Sequence, residues 1–109
     1  MIENFVPGKL LRIYLTEAHR YDNRPLADVL LEWAKQDGIA GATVHSGVGG
    51  FGRHHRLHTT KLLELSHDLP RVVELIDSED KIGWFVAAHS YILGGTTMVL
   101  IDVHLHQAV

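Results

Sequence analysis

Gly41-Ala-Thr-Val-His45-Ser-Gly-Val-Gly-Gly50-Phe-Gly-Arg-His-His55-Arg-Leu-His58-Thr59 is the stretch on which the reading of this chain turns. It opens as a β-rich run over residues 42–48 and passes into a segment dense in glycine. Two arginines and three histidines then fall between Arg53 and His58. Glycine lets a backbone approach a ligand closely and aim its amides in unusual directions. Arginine supplies a planar, multidentate donor for phosphate or carboxylate. The stretch therefore reads as a strand that ends in an anion-recognising, flexible loop over residues 49–60. The competing reading of the same residues is a solvated hairpin rim with no ligand.

On the N-terminal side, Pro7-Gly8 closes a short leader, residues 1–8. Residues 9–16 alternate, with Leu11, Ile13 and Leu15 on one face and Arg12 and Tyr14 on the other, which predicts a first strand. Asp22-Asn23 and Arg24-Pro25 predict a turn, and Pro25 suits the first position of a helix. From there to Asp37, Leu26, Leu30, Trp33 and Ala34 form an apolar stripe opposite Asp28, Glu32, Lys35 and Gln36. Gly38 ends that helix.

On the C-terminal side, residues 60–65 read as extended and residues 72–76 as a firmer strand entered through Leu69-Pro70. Ser78 caps a second helix, and Glu79 and Asp80 sit against its positive end. Its inner stripe is Ile82, Phe85, Val86 and His89, and Gly94-Gly95 stops it. The last strand alternates Thr97, Val99, Ile101, Val103 and Leu105 with Met98, Leu100, Asp102, His104 and His106. The order is β-α-β-β-α-β, the ferredoxin-like α+β motif. It predicts one domain over residues 1–109, with two helices on one face of a four-stranded antiparallel sheet. The opposite face is expected to carry Leu10, Tyr14, Met98 and Leu100, and so to be buried against further copies of the chain.

Composition narrows the function. A formal net charge of −3 in 109 residues argues against a nucleic-acid binder, which would show a basic balance. The absence of cysteine removes disulfides and thiolate metal sites and fits a cytoplasmic protein. No apolar run approaches the roughly 18 residues of a membrane helix. Nine histidines are many for this length. His54 and His58 could ligate a divalent metal, and His104 and His106 share one side of a strand; exposed, solvated imidazoles are the alternative. No Ser-His-Asp order, HExxH or Walker loop is present, and no catalytic residue is assigned.

Gly41-x-Thr43-Val44, Gly50-Phe51-Gly52-Arg53, His58-Thr59 and Asp68-Leu69-Pro70-Arg-Val-Val-Glu74-Leu-Ile76 resemble the PII nitrogen-signalling proteins. Leu11-Arg-Ile-Tyr-Leu-Thr-Glu17, Gly41-Ala-Thr-Val44, Gly50-Phe-Gly52, His58-Thr59 and Leu65-Ser-His-Asp-Leu-Pro70 are similar to the uncharacterised PII-like family called domain of unknown function 190. That likeness covers residues 9–103. The PII resemblance implies a homotrimer with its sheets facing inward. An adenine nucleotide or smaller anion would lie in the cleft between subunits beside Gly50, Gly52 and Arg53. Thr43 and Val44 would line the approach, and Arg56 would stand further along the loop. It also implies a regulatory rather than enzymatic role, acting on a partner such as a membrane transporter or channel. Two features of PII proteins do not carry over. The region Ile92-Leu-Gly-Gly-Thr-Thr97 lacks their phosphate-gripping lysine, and no tyrosine lies between Tyr21 and Tyr91 to be modified. The alternatives are a divalent-metal-binding trimer of the cation-tolerance type and an enzyme acting on a phosphorylated small molecule.

Overall fold

A computed structural model describes residues 2–52, 58–59 and 68–107. The first strand, β1 (Phe5–Thr16), is followed by a small hairpin of β2 (Arg20–Tyr21) and β3 (Arg24–Pro25). Asp22 and Asn23 both have positive φ, 51° and 62°, the backbone a two-residue hairpin requires. Helix α1 (Leu26–Gln36) begins one residue after Pro25 and ends at Gly38, whose φ of 73° suits a residue without a Cβ. Then come β4 (Gly41–Ser46), β5 (Gly49–Gly50), β6 (His58–Thr59), β7 (Pro70–Asp77), α2 (Glu79–Ala88), the short α3 (Ser90–Leu93) and β8 (Thr97–His106). Ser78 caps α2, its hydroxyl accepting the Lys81 amide at 3.2 Å.

The main sheet has the order β4-β7-β1-β8, with every neighbouring pair antiparallel. This is the ferredoxin-like α+β arrangement that the sequence predicts. Leu11, Ile13 and Leu15 of β1 point to the same side as Val73 and Leu75 of β7. They pack there with Leu26, Leu30 and Ala34 of α1 and with Ile82 and Phe85 of α2. Trp33, read as part of the buried stripe, is only half-buried.

Three local expectations need correction. First, β1 starts at Phe5 and not at Lys9. Among the described residues, 5–8 pair with β8 alone, so this end is an edge, where a proline, having no N–H to give a second ladder, is tolerated. Second, the second helix breaks at His89 (φ −113°, ψ 21°), and α3 then carries Leu93 into the core. Third, the phase of β8 is opposite to the one read. Ile13 lies across from Met98 and Leu11 across from Leu100, so both stand on the helix side. The open face carries Leu10, Arg12 and Tyr14 with Val72, Glu74 and Ile76, and with Thr97, Val99 and Ile101.

Gly8 is buried where Leu105 folds across it. A Cβ at this position would lie 2.6 Å from Leu105 Cδ1 and 2.9 Å from the Asp77 carbonyl oxygen. The leucine can swing away; a carbonyl between paired strands cannot. Gly8→Ala is therefore expected to destabilise the fold by about 1–3 kcal/mol. An unchanged urea midpoint would contradict that close approach.

Candidate functional site

The ends of three strands and the glycine segment meet around a cleft of about 510 Å³. Tyr14, Leu15 and Thr16 supply the end of β1, Pro70 and Val72 the start of β7, and Gly95 to Thr97 the entry to β8. Gly47, Gly49, Gly50, Phe51 and Gly52 form a further wall, and His19 completes the lining. The β4 strand stops where the Gly47 amide donates to the Pro70 carbonyl at 2.8 Å. A Cβ on Gly47 would sit 3.0 Å from Pro70 Cβ, so the absence of a side chain allows this approach. Gly49 then pairs with Thr59 and Gly50 with His58, which fixes both ends of the loop to one another.

No lining residue among those described carries a formal charge; His19 and Tyr14 are the titratable ones. A bound anion would meet no carboxylate among the described lining residues. Thr96 is buried, and its hydroxyl donates to the Leu93 carbonyl at 2.7 Å, which holds the turn before β8. The cleft thus offers apolar and aromatic surface beside glycine backbone, with hydroxyls and one imidazole at its polar side. That suits a flat heterocycle with a small polar or anionic appendage.

The sequence-predicted residues are not all brought together. Gly50 and Gly52 line the cleft. Thr43 stands exposed on the open sheet face across from Glu74, and Val44 packs toward the core; neither lines the cleft. Arg53, His54 and Arg56, and the expected strand over residues 60–65, lie outside the described residues. So do residues 53–57 and 60 of the loop, 49–60, that was expected to be flexible. His58 is described only through its pairing in β6. Sequence reasoning missed Tyr14, Thr16, His19 and Thr97. The signal available was position, since ligands gather where strands end and loops begin.

The histidines divide by environment. His89 lies between rings, stacked on Trp33 at 4.6 Å and tilted against Phe85 at 4.6 Å, with Nε2 2.8 Å from Asp37 Oδ2. It is the core-packed histidine that its place on the stripe suggests; Nε2 is partnered, while Nδ1 is buried with no hydrogen-bond partner among the described residues. His106 packs on Phe5, and Asp102 pairs with Lys9. Among the described residues no three His, Asp or Glu side chains are grouped to hold a metal ion. No described helix is long and apolar enough to cross a membrane.

The open face has its own charged row. Glu74 of β7 pairs with Arg12 of β1 on one side and with His45 of β4 on the other, the latter at 3.2 Å. The Arg12 guanidinium holds the Glu74 carboxyl below the usual carboxylate range; partial burial opposes this and His45 adds to it. Glu74 in turn raises Arg12.

Comparison with known proteins agrees with this architecture. The family model of DUF190, described as an uncharacterized ACR, matches residues 8–105. A UPF0166 protein of Aquifex aeolicus is 42% identical over 81 residues, covering 74% of this chain and 77% of that one. Among solved structures, CPII is similar with a TM-score of 0.70 and 17% identity, over 94% of this chain and 92% of that one. It is a nitrogen regulatory PII-like protein from Thiomonas intermedia K12, seen with ADP, AMP and bicarbonate. CutA1 from Oryza sativa is similar with a TM-score of 0.57 and 9% identity, over 98% and 87% of the two chains. A family match across nearly the whole length, on this sheet order, means that the chain belongs to the DUF190 family and has the PII-like fold.

Proposed function

We propose that this protein is a cytoplasmic PII-like signalling protein that senses a small anionic ligand, an adenine nucleotide, and regulates a partner protein without catalysing a reaction. The observation that carries the reading is the cleft itself. Its walls are the glycine segment and three strand ends, and no carboxylate lines its described part. The base would lie against Tyr14, Phe51, Pro70 and Val72, and its anionic end would face the Gly50 and Gly52 backbone and Arg53. Arg56, Thr43 and Val44 belong to a wider approach surface. That CPII is seen with ADP, AMP and bicarbonate supports the ligand class.

Assembly follows from the open face. Leu10, Val99, Ile101 and Ile76 leave apolar surface on a sheet face that the described residues do not cover. A homotrimer with these faces inward would bury it and bring a neighbouring subunit to the cleft. The ligand would then favour the loop arrangement in which it makes more contacts, and the ordered loop would change what docks there, such as a membrane transporter or channel.

Calorimetry with AMP, ADP and ATP tests the ligand class. Binding in the micromolar range is expected, with Arg53→Ala weakening it about tenfold or more through loss of a charge-assisted contact. No heat with any of the three at high micromolar concentration would refute the nucleotide reading.

A further inference from the structure

His19 is held in one orientation by its neighbours. Its Nδ1 accepts the backbone amide of Thr16 at 3.0 Å and lies 3.2 Å from Thr16 Oγ1. Its own amide donates to the Thr16 carbonyl at 3.1 Å, and its carbonyl accepts the Leu26 amide at 2.8 Å. A backbone N–H can only donate, so Nδ1 must present a lone pair to it. The neutral ring therefore carries its proton on Nε2. Among the described residues Nε2 has no hydrogen-bond partner, while His19 lines a cleft without a charged described side chain.

We infer that His19 reads an oxyanion of the ligand, its Nε2–H donating to a phosphate or carboxylate-type oxygen that bears no proton. The inference rests on the proposed binding in the cleft and adds the specificity-determining group. The Thr16 amide fixes which nitrogen is the donor, so the ring offers no acceptor to a ligand hydroxyl or amine. The oxygen can belong to a nucleotide phosphate or to a free small oxyanion such as bicarbonate; the chemistry is the same.

Two substitutions separate recognition from support. In His19→Asn, Oδ1 takes the place of Nδ1 and can still accept the Thr16 amide, but the distal donor is gone. In His19→Gln, the terminal amide can donate at the distal position, but the near acceptor is gone. AMP, adenosine and bicarbonate are titrated into wild type and both variants. The affinity of His19→Asn for AMP or for bicarbonate should fall about tenfold or more, with adenosine unaffected. Loss confined to AMP marks a nucleotide phosphate as the oxygen, and loss confined to bicarbonate marks the free ion. His19→Gln should retain more affinity than His19→Asn. A purely supporting role predicts the reverse order. Imidazole nitrogen NMR of the wild type should show the proton on Nε2, with that resonance moving when the oxyanion is added.

An unchanged His19→Asn affinity for both oxyanions would overturn the inference alone. Equal loss for adenosine, or a proton found on Nδ1, would also do so. A wild type that binds none of the three would overturn the cleft reading and this inference together.

Discussion

Replacing Phe85 by alanine is expected to cost about 3–5 kcal/mol, the range for removing a large buried aromatic side chain. Phe85 has no exposed surface and sits where α2 meets β1 and β7. Its ring also forms one wall around His89, whose other wall is Trp33 and whose Nε2 meets Asp37 at the end of α1. The substitution thus opens a cavity and loosens the contact joining the ends of the two helices. Domains of this size have about 5–15 kcal/mol in total, so much of the stability would go. Urea denaturation followed by circular dichroism should show the midpoint lower by about 1–3 M, given typical slopes for small domains. Phe85→Leu should recover most of the loss. A midpoint within about 0.5 M of wild type for Phe85→Ala would mean that the site collapses around the missing ring.

Glu74→Ala is expected to dissociate the proposed trimer. Glu74 lies in the middle of the open face between Arg12 and His45, each from a different strand. In a trimer with that face inward, removal of the carboxylate leaves Arg12 buried without its partner. Breaking a buried pair in this way costs about 3–5 kcal/mol. Light scattering should give a trimer mass for wild type and a smaller mass for Glu74→Ala at the same micromolar concentration. Trimer masses for both would show that the row does not hold the subunits together.

The same carboxyl sets a pH dependence. Arg12 depresses its folded pKa, so its contribution is fully present above the ordinary carboxylate value and disappears as pH falls through the depressed one. The acid limb of stability should therefore flatten in Glu74→Gln. An unaltered acid limb would assign the acid sensitivity to other carboxylates.

Local residue patterns were enough for whatever depends on neighbours a few residues apart. Leu11, Ile13 and Leu15 alternate with polar or exposed positions, so one face of β1 had only one possible use. Gly38 and Ser78 ended and began helices through backbone geometry and a single hydroxyl, both readable from local residue type. Tertiary structure decided whatever depends on register between distant strands. β8 is apolar on both of its faces, Met98 and Leu100 on one and Val99 and Ile101 on the other. Alternation alone therefore cannot choose its phase, and pairing of Ile13 with Met98 does. The same holds for charge. Arg12 and Glu74 are 62 positions apart, and Asp37 and His89 are 52, so no spacing rule could join them. The cleft divides along the same line. Its glycine wall was legible because a dense glycine run is a local signal. Its polar side was not: Thr16 and His19 reach Pro70 and Thr97 only when antiparallel pairing brings the ends of β1, β7 and β8 to one edge of the sheet.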